Sequence, residues 1–196
     1  ELKSEYQYLA HKFGLQAMDA NQWRFLRLRP QNFPHIRIAQ LAHLYYEQRA
    51  GLSQLLECES VKQVRELLAT QVTHYWETHY VFGEKSAKSE KKLSAASLNL
   101  QIINTVAPIL FAYGKHKNSE KYCERAFDFL ETLKAEENHI VRMWKEVGLM
   151  VETAGDSQAL IQLKKEYCDR KDCLRCRIGY EYLKGNSSIK ALGELG

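Results

Sequence analysis

A chain of 196 residues, 45% hydrophobic and 27% charged, is long and apolar enough to bury a core, and a formal charge of +4 makes it only mildly basic. That balance permits contact with nucleic acid or an acidic partner but excludes the concentrated basic stripe of a dedicated charge-driven binder. Five cysteines, an odd number, fit reduced thiols or ligands better than a secreted disulfide framework, and three prolines among many Leu, Ala, Gln, Lys and Glu residues favour helices.

The start Glu1-Leu2-Lys3-Ser4-Glu5 lacks the basic-then-apolar layout of a signal peptide, so the expectation is a fragment of a longer cytoplasmic chain. Residues 1–12 are expected to form a short helix with Leu2, Tyr6, Leu9 and Phe13 on one side, broken at Gly14. Over Trp23–Pro30, apolar and basic residues interleave so closely that neither a helical nor a strand period wins. The next helix opens at Pro34, with Ile38, Leu41, Ala42 and Tyr45 as its apolar face.

Ser60 with Gln63 forms a capping-box signature ahead of Val61, Val64, Leu68 and Val72. The aromatic run His74–Gly83 should pack tightly, and the charged connector 84–92 leads to a helix holding Leu93, Ala96, Leu100 and Ile103. Ser97–Gly114 carries no charge and reads as a buried central helix with a stop or kink near Pro108; its Gln101, Asn104 and Thr105 argue against a membrane span. Helices around Tyr122–Leu133 and Ile140–Val151 read as an antiparallel pair. Gly155-Asp156-Ser157 reads as a stop followed by an N-cap, and Leu160, Leu163 and Tyr167 continue to Cys168. A last helix spans 173–184. No repeat at fixed period is present. The expected fold is all-α, a single irregular multi-helix domain over 1–185 around a buried central helix, with a loosely ordered tail over 186–196.

Three stretches carry a resemblance: Phe25–Ala42 (F-L-R-L-R-P-Q-N-F-P-H-I-R-I-A-Q-L-A), Ile103–Gly114 (I-N-T-V-A-P-I-L-F-A-Y-G) and Gln158–Lys164 (Q-A-L-I-Q-L-K) leading to the last cysteines. Together they resemble the C-terminal half of the bacterial family catalogued as domain of unknown function 2851, over nearly the whole chain. The resemblance implies a further N-terminal region with nuclease-like acidic and histidine motifs. None of those motifs occurs here, so no catalytic residue carries over.

Cys168, Cys173 and Cys176 form a C-x4-C-x2-C pattern, the spacing of the first three ligands of a plant-type iron–sulfur site. They converge only if Asp169–Asp172 is a turn, and a fourth ligand for zinc or a cluster would come from Cys58, Cys123 or a histidine. Buried structural thiols are the plainer reading. His74 with Glu77 and Glu136 with His139 have the spacing of di-metal helix ligands, but only the second pair has the Glu-first order. Arg24, Arg27, Arg29 and Arg37, among Trp23, Phe25 and Phe33, have the residue types for phosphate contact with base stacking. Pairing with carboxylates while the apolar neighbours enter the core is the alternative.

No Walker loop, nucleophile elbow, zinc-protease helix or dinucleotide fingerprint appears, which leaves enzymatic activity and oligomeric state open. The functional expectation is a non-catalytic helical interaction domain that binds nucleic acid or the missing N-terminal region of its own chain. A metal or iron–sulfur module, or the accessory part of a nuclease-like enzyme, is the alternative.

Overall fold

The structure is a computed structural model and describes residues 2–49 and 51–184; the tail expected over 186–196 lies outside the described residues. Helices dominate, with one two-stranded hairpin, so the all-α class holds. Contacts gather the chain into two compact units, Glu1–Ala50 with Leu68–Leu93, and Gly51–Leu67 with Ser94–Gly196, where the sequence reading had treated 1–185 as one domain.

The first unit begins with α1 (Leu2–Phe13), which stops at Gly14 in the left-handed region at φ +61°. α1 forms as expected, but Tyr6 and Phe13 stay exposed. A short 3-10 turn, Pro30–Asn32, leads into α2 (Pro34–Tyr46), whose first position is the proline that needs no donor there.

The buried face of α2 is Ile36, Gln40 and Leu44, and the face expected from the apolar spacing, Ile38, Leu41, Ala42 and Tyr45, is exposed. The reason is polar. Gln40 Nε2 donates to the Lys91 carbonyl at 2.8 Å, and the Thr70 hydroxyl donates to the Gln40 carbonyl at 3.2 Å, so a glutamine is satisfied where a leucine was expected.

In the second unit, α3 (Leu52–Glu57) precedes α4 (Val61–Leu68). The capping box forms as read: the Gln63 amide donates to Ser60 Oγ at 3.3 Å and Gln63 Oε1 accepts from the Ser60 amide at 3.2 Å. Buried Arg125 donates to the Leu56 and Cys58 carbonyls at 2.7 and 3.1 Å, satisfying acceptors at the end of α3.

The uncharged stretch forms α6 (Ala95–Gln101) and α7 (Ala107–Lys117), joined through a π-helical segment, Ile102–Val106. Leu93 lies before this helix, which Ser94 caps by accepting from the Ser97 amide at 3.1 Å. Proline neither donates nor fits under the carbonyl four residues back, yet the helix does not stop. One wider turn, in which the Ala107 amide donates to the Ile102 carbonyl, carries it past Pro108.

Leu98, Ile102, Ile103, Val106, Ala107 and Leu110 are buried, while Leu100, Asn104, Thr105 and Ile109 lie exposed, so this helix is covered along one stripe. Although Gln101, Asn104 and Thr105 argue against it, Ala95–Lys117 is by length and composition apolar enough to cross a membrane; a third of its most apolar window is buried.

The antiparallel partner of α8 (Glu120–Thr132) is α7, in place of the expected helix after it. The chain reverses at Asn118, in the left-handed region at φ +51°. A β-carbon on Gly114 would stand 2.7 Å from Cys123 Sγ and 2.9 Å from the Ser119 carbonyl oxygen, so only glycine allows this approach.

α9 (His139–Glu146) is capped by Asn138, and α10 (Ala154–Leu163) begins earlier than read, with Thr153 as its cap. Thr153 Oγ1 accepts from the Asp156 amide at 3.1 Å, and the Asp156 carboxylate accepts from the Thr153 and Glu152 amides at 2.9 and 3.1 Å. Those amides hold the Asp156 carboxyl below its ordinary value of 3.8.

Gly114→Ala is expected to lower stability by about 1–3 kcal/mol through overpacking, read by urea denaturation. Asp156→Ala should cost about 1 kcal/mol at neutral pH. Because the folded pKa is depressed, that contribution is complete above the unfolded value and is lost as pH falls through the folded one. The variant and the parent should therefore converge in stability below pH 3.8.

Candidate functional site

In the first unit, His74–Glu77 forms α5 and leads into a hairpin of β1 (His79–Val81) and β2 (Glu84–Lys85), turning at Gly83 with φ +81°. The aromatic run packs tightly, as expected. His79 stacks on Tyr75 at 4.0 Å with its Nδ1 2.8 Å from the Tyr75 carbonyl oxygen. His35 of α2 stacks on Trp76 at 6.1 Å and meets Phe82 edge-on at 5.5 Å.

Phe25 enters this cluster against Phe33 at 5.3 Å and His35 at 5.2 Å. It thereby anchors the Trp23–Pro30 segment, whose local structure is a turn with the Leu28 amide donating to the Phe25 carbonyl at 3.2 Å. The cluster is held from below by Lys91. Its Nζ donates to the Trp76 and Glu77 carbonyls at 2.5 and 2.9 Å and sits 4.1 Å from the centre of the Tyr80 ring.

Around the anchor, the segment is open. Leu26 is 85% exposed, and Trp23 and Leu28 are exposed too, so these apolar neighbours of the arginines do not enter the core. Arg24, Arg27 and Arg29 are exposed, and none of their guanidinium groups has a hydrogen-bond or ion-pair partner among the described residues. Arg27 holds a φ of +64°, unfavourable for a residue with a side chain.

Arg37 is a different kind of group. It donates to Asn32 Oδ1 at 2.6 Å and Gln40 Oε1 at 2.9 Å, and burial pushes its pKa down. The structure therefore leaves Arg24, Arg27 and Arg29 open along the segment that Phe25 anchors and places Arg37 in the internal network. Two exposed rings of the cluster escaped the sequence reading of the arginine segment: Phe82, 70% exposed, and Tyr75. Phe82 connects to the arginine segment through His35, which meets both Phe25 and Phe82.

Charge follows the same division. The first unit has eleven Lys and Arg residues against seven Asp and Glu, and the second has seventeen against seventeen, so the whole +4 belongs to the first.

In the second unit, α10 ends in a π-helical turn, Lys164–Cys168, which carries Cys168 around to a loop. Asp169–Asp172 is a turn, as convergence required, with Lys171 at φ +55° and the Asp172 amide donating to the Tyr167 carbonyl at 3.0 Å. The last helix, α11, is Arg177–Leu183, so Cys176 and not Cys173 stands at its start. A β-carbon on Gly179 would come 2.8 Å from the Cys173 carbonyl oxygen, which is how closely α11 lies on that loop.

Cys168, Cys173 and Cys176 line one cavity of about 530 Å³ with Trp144, Leu160 and Leu163 among its walls. Burial raises the Cys168 thiol pKa, and the nearby Cys176 and Cys173 push it further, with Lys164 opposing.

The other candidate ligands lie elsewhere. Cys58 Sγ donates to the Gln54 carbonyl at 3.3 Å, and Cys123 packs against Gly114. His74 pairs with Glu77 at 3.2 Å in the first unit, whereas α9 begins only at His139, so Glu136 does not share a helical face with it. Among the described residues, no three His, Cys, Asp or Glu side chains are grouped so as to hold a metal ion.

The chain belongs to the family described as Protein of unknown function (DUF2851), which matches residues 1–139. No curated protein and no solved structure matches it.

Lys91→Met should remove the ammonium donor from the part-buried Trp76 and Glu77 carbonyls, which keep the Thr78 and Ser89 amides, and lower stability by about 1–3 kcal/mol in urea denaturation. The near-ultraviolet circular dichroism of the aromatic cluster should weaken with it.

Proposed function

We propose that this family member binds single-stranded nucleic acid through its first unit, as a non-catalytic interaction module. The observation that carries the reading is the open segment around Phe25, where the Arg24, Arg27 and Arg29 side chains are exposed without partners among the described residues next to exposed Trp23, and His35 links Phe25 to the exposed ring of Phe82. Arginines free of carboxylates are available to phosphate oxygens without first breaking an ion pair. Exposed rings offer faces on which unpaired bases stack, which a duplex does not present. The surplus positive charge of this unit adds attraction at longer range. Nucleic-acid binding and five unpaired cysteines fit a cytoplasmic location.

A second reading is docking of further polypeptide, such as another region of a longer chain. Tyr6, Phe13, Leu15 and Met18 of the same unit favour it, since they are exposed apolar side chains close together in sequence.

Fluorescence anisotropy with a labelled single-stranded oligonucleotide, titrated at several salt concentrations, tests the first reading. Each of Arg24→Ala, Arg27→Ala and Arg29→Ala should weaken binding and flatten the log–log salt slope by about 0.7. Trp23→Ala and Phe82→Ala should cost about 1–3 kcal/mol each with the slope unchanged, and neither should matter for an abasic strand. Undetectable binding at low salt removes the reading and leaves polypeptide docking.

A further inference from the structure

We infer that the cavity between α9, α10 and α11 binds a neutral, apolar small molecule that carries an aromatic ring. This site lies wholly in the second unit and is independent of nucleic-acid binding by the first.

The walls exclude a charged occupant. About 530 Å³ of space is bordered by apolar surface from Trp144, Leu149, Leu160, Leu163, Tyr167 and Ile178, together with the last three cysteines. Trp144 Nε1 donates to the Leu160 carbonyl at 3.2 Å, so the indole carries no unsatisfied donor. Burial raises the Cys168 thiol, and nearby Cys176 and Cys173 add to it, so at neutral pH it stays protonated and acts as a small apolar group. Among the described residues these cysteines are not grouped to hold a metal ion. The cations around the cavity already have carboxylates. Arg177 pairs with Glu181 at 3.7 Å, Arg170 with Glu166 at 2.6 Å, Arg175 with Asp172 at 3.5 Å, and Lys164 with Asp169. An ion brought into this space would lose its hydration without gaining a partner.

What the walls do offer favours a ring. Two aromatic side chains and three polarizable sulfurs border the same space, and both kinds of group gain more from an aromatic partner than from a saturated chain. The volume falls within the range of about 300–1,000 Å³ over which small-molecule sites occur. The π-helical turn ending at Cys168 and the left-handed Lys171 bend the chain around the cavity, so α9, α10, that bend and α11 surround it. Such an enclosure suits a compact molecule better than an elongated polypeptide. π-Helical turns of this kind recur at functional sites.

The way in is open as well. Leu149 and Ile178 are 44% and 58% exposed while also lining the cavity, so they mark its mouth. A ligand enters there without unfolding the unit, and covering these two side chains removes further apolar surface from water.

The test is a fluorescence titration of the full chain with N-phenylnaphthylamine, a neutral aromatic probe that emits strongly only out of water. The expected result is saturable binding at a single site, unchanged by salt because no ion pair forms. The anionic analogue anilinonaphthalene sulfonate should bind at least about tenfold more weakly, since its sulfonate finds no partner. Ile178→Lys places an ammonium at the mouth, at a position already exposed, and should weaken the neutral probe by about tenfold or more. Leu174→Lys, exposed and outside the walls, should leave binding unchanged. Alkylation with iodoacetamide gives a readout that needs no variant: bound probe should slow the reaction of Cys168 and Cys173 and leave that of Cys123 unchanged. Absence of saturable binding, equal or tighter binding of the anionic analogue, or binding that Ile178→Lys leaves intact overturns the inference. So does binding that appears only once residues 185–196 are removed or the chain is diluted to a monomer, since the cavity then belongs to a polypeptide.

Discussion

Lys91 bonds at both ends of the residue, and the first unit depends on it. Its carbonyl accepts from the Gln40 side chain in α2, while its ammonium donates to two carbonyls of α5 and lies over the Tyr80 ring. Burying an ammonium is unfavourable on its own, and burial does push its pKa below the ordinary value. Two carbonyls and a ring face offset that cost only in this one geometry. The helix, the hairpin and the aromatic cluster between them are therefore held in a single arrangement.

The arrangement explains which parts of the fold were legible. Signals that act within one turn came through: Pro34 at the start of α2, Gly14 at the end of α1, the box of Ser60 and Gln63. The orientation of α2 did not. Apolar residues occur on both its sides, and what settles the matter is a glutamine whose partners lie 30 and 51 positions away. Apolar spacing cannot contain that information. The start of α10 was misplaced for a smaller reason: Thr153 and Asp156 also make a capping pair, and it outcompetes the more conspicuous Gly155-Asp156-Ser157. At Pro108 the local rule was correct that an ordinary turn could not continue. It did not foresee that one extra residue in the preceding turn lets the helix go on.

The candidate sites were legible in residue type and not in placement. The arginine segment announced its chemistry, yet four arginines within fourteen positions divide into three that are free and one that is bound to Asn32 and Gln40. Phe82 joins the site through ring contacts with His35 that no sequence spacing encodes. For the cysteines, the requirement of a turn at 169–172 followed from geometry alone and is met. The cavity they share depends on Trp144, Leu149 and Leu160, contributed by segments the motif does not include.

The arginines on the open turn are hard to explain as part of the fold. An exposed arginine without a carboxylate adds no ion-pair energy, and Arg27 holds a backbone conformation that costs on the order of 1 kcal/mol in a residue with a β-carbon. Leu26 beside it gains nothing from burial, being almost fully exposed. Phe25 is the ring of this stretch that enters the aromatic cluster, and it would be anchored as well by neutral, polar neighbours. Concentrating like charges on a unit that already carries the entire surplus of the chain is mildly unfavourable for that unit alone. In the nucleic-acid reading proposed for this unit, an anionic ligand would supply the partners that the fold does not.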